Sequence, residues 1–312
     1  MPTKKAPRRG SLQFWPRKRA ARFLPSVNWK AIDSNKKLKG FICYKAGMAS
    51  ACVKDNTADS MTKGKEIITP VTILECPSMK IFSVRFYKKG EVATEVLGKN
   101  LDKELRKKVK LSKTEKNIDS VKPESYDDIR IICYSQVKKT NIKKTPDLLE
   151  FGLGGSIEEK LAFVKESLIK ELNVSDFFDS KELIDLRGIT KGKGLQGPVK
   201  RFGIQLKSHK SEKGRRRPGS LGPWHPARVI FRVPMAGQLG TFTRAIYNNK
   251  IIDMGVADDK FKNIKNFGDI KTNYIVVRGS VMGPAKRQLI MTAPLRETKK
   301  QSKKDFELKE LR

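Results

Sequence analysis

The apolar positions of this chain follow three patterns. The commonest is the short run rich in β-branched and aromatic residues that marks a strand. FICYKAGMASACVKD (41–55) predicts two short strands around a tight turn at Gly47. EIITPVTILEC (66–76) predicts a longer one, with Pro70 marking an edge or a bulge. KIFSVRFY (80–87) and EVATEVL (91–97) are joined at Lys88, Lys89 and Gly90. IRIICYSQV (129–137) reads as a buried strand and DLLEF (147–151) as a shorter one. ELIDLRGIT (182–190), FTRAIYN (242–248), KIIDMGV (250–256), NYIVVRGSV (273–281) and RQLIMTA (287–293) complete the series.

Helical spacing is rarer. Ser156 can cap a helix, with Glu159 three residues on completing a capping box, and Ile157, Leu161, Val164, Leu168 and Leu172 then share one face. In the highly charged stretch 101–122, Leu101, Leu105, Val109 and Leu111 fall on one helical side. The pattern predicts a mainly β protein with an α/β insertion between about 80 and 180, and the even spacing of the late strands suggests a small barrel or sandwich.

The third pattern is the absence of any period. Residues 1–39 are punctuated by Pro2, Pro7, Pro16 and Pro25, and residues 187–234 hold 8 Gly and 5 Pro. The charge is concentrated there. Of the chain's net +34, residues 1–45 and 187–234 each carry 13 basic and 1 acidic side chains, so 93 of the 312 residues hold +24. The rest is close to balanced, with 25 basic and 23 acidic side chains over 46–186 and 16 and 8 over 235–312. Ordering backbone costs roughly 1–2 kcal/mol per residue, and a segment so poor in apolar side chains does not recover that cost alone. Two polycationic extensions on a nearly neutral body call for a strongly negative partner, a nucleic acid or an anionic membrane.

A membrane fits poorly. No apolar run approaches the ~20 residues that span a bilayer, and Gly and Pro break the basic segments too often for an amphipathic surface helix. The N-terminal MPTKKAPRRGSLQFWPRKRAARFLP lacks the apolar core of a signal peptide, so a cytoplasmic location is expected. Cys43, Cys52, Cys76 and Cys133 are scattered without a C-x-x-C pair, and the only histidines are His209 and His225. Buried thiols, not a metal centre, are expected. No catalytic constellation, cofactor site or metal site is predicted.

Several motifs sharpen the choice. Phe14, Trp15, Phe23 and Trp29 interleave with Arg8, Arg9, Arg17, Lys18, Arg19 and Arg22. Guanidinium groups suit phosphates and aromatic faces suit unpaired bases, although the rings could instead pack on the body. Gly192, Gly194 and Gly197 spell G-x-G-x-x-G, but Pro198 follows at once, no helical period succeeds it, and Glu212 comes too soon to be the ribose-binding acid. The glycines are expected instead to let backbone approach phosphate beside Lys191 and Lys193. Lys200, Arg201, Lys207, Lys213, the triplet Arg215, Arg216 and Arg217, and Arg228 continue the basic run. Trp224, on a turn braced by Gly and Pro beside His225, can stack on a base or fold back onto the body. Lys286 and Arg287 are further phosphate candidates.

Six blocks, in order, resemble the large-subunit ribosomal protein L-three family in its archaeal and eukaryotic type. They are PRRGSLQFWPRKRA (7–20), FICYKAGM (41–48), VTILECPSM (71–79), DLRGITKGKGLQGPVKRFG (185–203), GPWHPAR (222–228) and VVRGSVMGPAKR (276–287). Phe202 stands where the family pattern has Trp. The resemblance implies a six-stranded β-barrel of the translation-protein type over 40–79, 181–190 and 234–295, with an α/β module inserted at 80–180. It implies long extended basic arms, an N-terminal extension over 1–39 and a central arm over 191–233; the charged tail 296–312 reads from its residues as a short helix or a loose tail. It further implies binding near the 3′ end of the large-subunit rRNA, nucleation of subunit assembly, and a central arm reaching toward the peptidyl transferase centre with Trp224 at its tip. Implied neighbours are proteins of the L-fourteen and L-twenty-four-e families, without homo-oligomers. The competing readings are an RNA-modifying enzyme with basic substrate-holding arms, which would need a cofactor pocket, and a DNA-compacting architectural protein, which the aromatic residues disfavour.

Overall fold

In the computed structural model, which describes residues 7–34, 36–112, 118, 125–257 and 261–312, the chain is mainly β. It runs through β1 (Gly40–Asp55), β2 (Glu66–Cys76), β3 (Met79–Lys88), β4 (Glu91–Leu97), β5 (Asp128–Ser135), β6 (Leu148–Gly152), α1 (Ile157–Ser167) and β7 (Leu183–Ile189). There follow β8 (Leu195–Gln196), α2 (Pro198–Phe202), β9 (Gly237–Gln238), β10 (Thr243–Val256), β11 (Asn273–Arg278), β12 (Gln288–Thr292), α3 (Lys299–Ser302) and β13 (Phe306–Leu311). Two compact units result, one from 24–188 and 245–312, the other from 1–23 and 189–244.

The larger unit is organised by β1. The two strands expected over 41–55 are one strand of 16 residues, and the turn expected at Gly47 is a shift of register between Lys45 and Gly47. A bulge bends a strand without ending it. β2 lies along one edge of β1; the other edge is shared by β12, opposite 40–44, and β13, opposite 51–55. The sheet order is β12-β7-β10-β11-β2-β1-β13, and the pairing of β12 with β1 joins six of these strands in a ring. Pro70 sits in β2 opposite Ser50, one residue before β11 begins to pair at Val71, so its missing N–H falls where β2 has a neighbour on one side only.

Burial on both faces explains why these strands read as unbroken apolar runs. Along β11, Tyr274 and Val276 enter one cluster, with Val53, Val71, Ile252 and Phe306, while Ile275 and Val277 enter a second, with Phe41, Ile42 and Leu74. Alternate residues of a strand point to opposite faces, so apolar residues at every position mean two covered faces. The second cluster continues into a four-stranded antiparallel sheet, β4-β3-β5-β6, through Val84, Phe86, Ile129, Ile131 and Phe151, with Val164 of α1. The opposite face of that sheet is apolar at one end, where Phe82, Ile132 and Tyr134 pack with Leu105, and ionic at the other. Arg85 and Arg130 are directly paired across β3 and β5 and are held apart as charges by Glu150, which accepts from both at 3.1 Å. α1 has the expected capping box between Ser156 and Glu159, but ends at Ser167, short of Leu172.

Four expectations need correction. The strands expected at 242–248 and 250–256 are one strand, β10, which passes through a left-handed residue at Asn248. The helix expected over 101–122 is a single 3-10 turn at Lys103–Lys107, and residues 113–117 and 119–122 lie outside the described ones. The charged tail 296–312, expected as a short helix or a loose tail, has the short helix α3 but then continues into a strand, β13, paired with β1. The basic extension expected over 1–39 does not stay extended to its end, because Leu24, Trp29, Ile32 and Leu38 are buried in the larger unit's core. Trp29 packs against Phe151 with ring centroids 5.5 Å apart and planes tilted by 47°, and a Cβ on Gly40 would come within 2.9 Å of its ring. Packing on the body is therefore what this ring does.

Candidate nucleic-acid interface

The smaller unit brings 7–23 together with 189–244. Its base is a two-stranded ribbon. Thr190 N–H donates to Phe242 O at 3.0 Å, Lys193 N–H to Leu239 O at 3.0 Å, and β8 pairs with β9. Gly240, at φ +77°, is pressed so closely on the Lys191 carbonyl that no Cβ fits. The close approach that Gly192 permits is to Thr241 of this same ribbon, whereas Gly194 and Gly197 have open space where a Cβ would stand.

After Gly197 comes α2, so the expectation that no helix follows the glycines is wrong. Proline is favoured at the first position of a helix because its fixed φ suits the turn and its missing N–H would be unbonded there anyway. The helix is only five residues long and closes on Gly203 at φ +65°, whose N–H donates to Val199 O. This one turn carries the side chains on which the N-terminal segment packs.

That packing is aromatic and cationic. Trp15 stacks on Phe202 at 6.1 Å with 22° between planes, and meets Phe231 edge-on at 5.5 Å. Its indole N–H donates to Ser11 O at 2.8 Å. Phe202, in the place of the family's Trp, thus stacks within the protein itself. Arg17 lies 4.3 Å over the Phe202 ring and donates to Arg201 O at 3.2 Å. Arg201 crosses to the other segment of the arm, donating to Gln238 O and Met235 O at 3.0 Å each. Gly10 fits beneath because a Cβ there would meet Phe202 at 2.5 Å. The two segments expected to be separate threads are therefore each other's packing partners.

Arg244 completes a group of three guanidiniums and was not singled out in the sequence, where it reads as an ordinary strand residue. It lies 3.9 Å over Phe14 and 5.3 Å from Phe242; the arginine beside an aromatic in FTR was the available signal. Burial lowers the pKa of Arg17, Arg201 and Arg244, and neighbouring cations lower it further, Arg8 acting on Arg17 and Arg17 on the other two. Arginine does not give up its proton in this range. The three remain charged, partly desolvated and mutually repelling, and an anion relieves that.

The other sequence candidates divide by exposure. Arg9, Lys18, Arg19, Arg22, Lys191, Lys193, Lys200, Lys213, Arg216, Arg217 and Arg228 are exposed. Arg8 donates to Arg232 O at 3.3 Å, and Arg215 and half-buried Lys207 close a loop through the Lys207 N–H bond to Arg215 O at 3.1 Å. Trp224 is 86% exposed, with His225 exposed beside it, so the alternative of a tryptophan folded back is not what is found. Lys286 and Arg287 belong to the larger unit. Among the described residues of the smaller unit, 19 Lys and Arg face one acid, Glu212, and no cation is in an ion pair. No group of three His, Cys, Asp or Glu gathers among the described residues as a metal site requires.

A polycation with no ion pair among its described residues and with Trp224 exposed is the surface of a polyanion-binding protein. Comparison with known proteins narrows the class. The family profile described as ribosomal protein L3 matches residues 1–311. The large ribosomal subunit protein uL3 of Methanocaldococcus jannaschii is 41% identical over 307 residues, covering 93% of this chain and 91% of that protein. Those of Methanococcus vannielii and Archaeoglobus fulgidus are each 40% identical, over 308 and 309 residues, covering 94% of this chain and 92% and 93% of theirs. The chain belongs to the ribosomal protein L3 family, whose members are structural proteins and not enzymes.

Proposed function

We propose that this chain is a primary rRNA-binding protein of the large ribosomal subunit, acting in the cytoplasm and not as a homo-oligomer. It binds near the 3′ end of the large-subunit rRNA, helps to nucleate assembly, and extends residues 191–233 toward the peptidyl transferase centre with Trp224 leading. The ring of six strand pairings supports reading 40–79, 181–190 and 234–295 as a barrel of the translation-protein type, with 80–180 as its insertion. Neighbours of the L-fourteen and L-twenty-four-e families fit the same reading. The observation that carries it is the smaller unit's 19 cations against one acid, without an ion pair among its described residues. Folding such a surface without an anion stores repulsion, and RNA phosphates discharge it by releasing condensed counterions. Co-sedimentation of tagged protein with ribosomal particles tests this. The protein should travel with large subunits through washes at low salt; recovery in the free fraction alone would refute the proposal.

A further inference from the structure

The loop 279–287 between β11 and β12 belongs to the larger unit and ends in Lys286 and Arg287. It is pinned from beneath by a buried lysine. Lys45 of β1 is only 8% exposed, and its ammonium donates to Val281 O at 2.5 Å and Gly283 O at 3.2 Å. Its backbone holds the same loop: Lys45 N–H donates to Arg287 O at 3.0 Å, and Lys45 O accepts from Lys286 N–H at 2.8 Å. At the loop's other end Gly279 N–H donates to Pro70 O at 2.8 Å, and the Thr72 hydroxyl donates to Gly279 O at 2.7 Å. Val281 and Met282 point inward and are buried.

The backbone is left-handed at Gly279, Gly283 and Lys286, with φ +90°, +92° and +66°. Glycine adopts that region freely; lysine does so at a cost, and non-glycine residues held there collect at functional positions. Here the conformation sets an exposed Lys286 next to half-buried Arg287 on a turn whose backbone is bonded to Lys45. Among the described residues Lys45 makes no ion pair, and burial alone lowers its pKa. A buried ammonium without a carboxylate is expensive, and an apolar side chain would fill the space more cheaply. What the ammonium alone supplies is a grip on two carbonyls of the loop.

We propose that loop 279–287 is a preformed RNA-phosphate site on the larger unit, with Lys286 and Arg287 as its contacts and Lys45 as the positioning residue. The proposal rests on the rRNA-binding reading above. It differs from that of the basic arms in being built on short, doubly anchored backbone, and in requiring a lysine that never touches RNA.

The test compares the intact protein with Lys45→Met, with Lys286→Gln/Arg287→Gln, and with the triple variant. Each is titrated against the 3′-terminal portion of large-subunit rRNA over a range of salt. Removing two phosphate contacts should reduce the slope of log K against log[salt] by about 1.4 to 1.8. Lys45→Met should produce the same reduction, and the triple variant no more than either, because Lys45 acts only through the other two. A further reduction in the triple variant would put Lys45 itself on a phosphate and overturn the assignment. An unchanged slope in the double variant, with a steep one for the intact protein, would sink this proposal alone. A flat slope for the intact protein would sink the rRNA reading and this with it. Should Lys45→Met fail to fold, the double variant still decides, together with amide exchange of the free intact protein. The amides of Lys286 and Arg287 should then be protected like those of β12, and exchange at the rate of an unstructured peptide would overturn a preformed site.

Discussion

Replacing Trp15 by Ala should release the N-terminal segment from the central arm while leaving the larger unit intact. The indole makes two aromatic contacts, with Phe202 at 6.1 Å and Phe231 at 5.5 Å, each worth about 0.5–1.5 kcal/mol. The Arg17 guanidinium, 5.4 Å from the indole, lies on the same segment as Trp15, so this contact does not join the two segments. The hydrogen bond to Ser11 O is likewise internal to that segment. The two aromatic contacts come to about 2 kcal/mol, or about thirtyfold in a local opening equilibrium at 1.4 kcal/mol per tenfold. Native-state hydrogen exchange reads that equilibrium directly. The reporters are the amides of Ala20, bonded to Thr241 O, and of Arg201 and Gly203 in and after α2, bonded to Gly197 O and Val199 O. Their protection should fall by about thirtyfold in Trp15→Ala, while that of Ile42 and Val277 in the larger unit's core stays unchanged. If Ala20 and Gly203 keep their protection to within threefold, the aromatic cluster is not what joins the two segments.

Two other substitutions probe the larger unit. Glu75 is fully buried; burial raises its pKa against the hydrogen bonds that Oε1 accepts from Lys271 N–H and from the Thr272 N–H and hydroxyl, and Oε2 has no partner. A folded-state pKa above the unfolded one means that native protein holds the proton more tightly, so stability is lost as pH rises from about 4 through the folded value. Urea unfolding at several pH values should show Glu75→Gln gaining on the parent across that window; a gap that narrows as pH rises would contradict it. Lys89 and Gly90, at φ +52° and +86°, form the two-residue turn between β3 and β4, both in the left-handed region. Asn tolerates that position better than Lys, so Lys89→Asn should raise stability by about 0.5 kcal/mol in the same assay, and a loss would refute the turn assignment.

Much of this architecture was legible in the sequence because two-sided burial writes itself as continuous apolar runs, as in VTILEC and NYIVVR. Strand boundaries were less legible where a glycine or asparagine bends a strand without ending it, as at Gly47 in β1 and Asn248 in β10. β13 escaped notice because FELKEL alternates with charged residues, and its register against β1 shifts at Cys52, which breaks the period. The basic segments were plain as charge but not as structure. Nothing local tells Trp29, buried against Phe151, from Trp15, packed on Phe202, or from Trp224, exposed. That depends on contacts between residues nearly two hundred positions apart, such as Arg17 and Arg201. For the same reason Arg17 and Arg201 read as free phosphate contacts and prove to be partly committed to holding the unit together.

The account stands or falls on whether the unpaired cations of the smaller unit meet phosphate. The most direct measurement is the affinity of the intact protein for large-subunit rRNA as a function of salt. With about ten phosphates neutralised, log K against log[salt] should slope near −7 to −9. A slope near −2 would mean that the basic arms scarcely touch RNA.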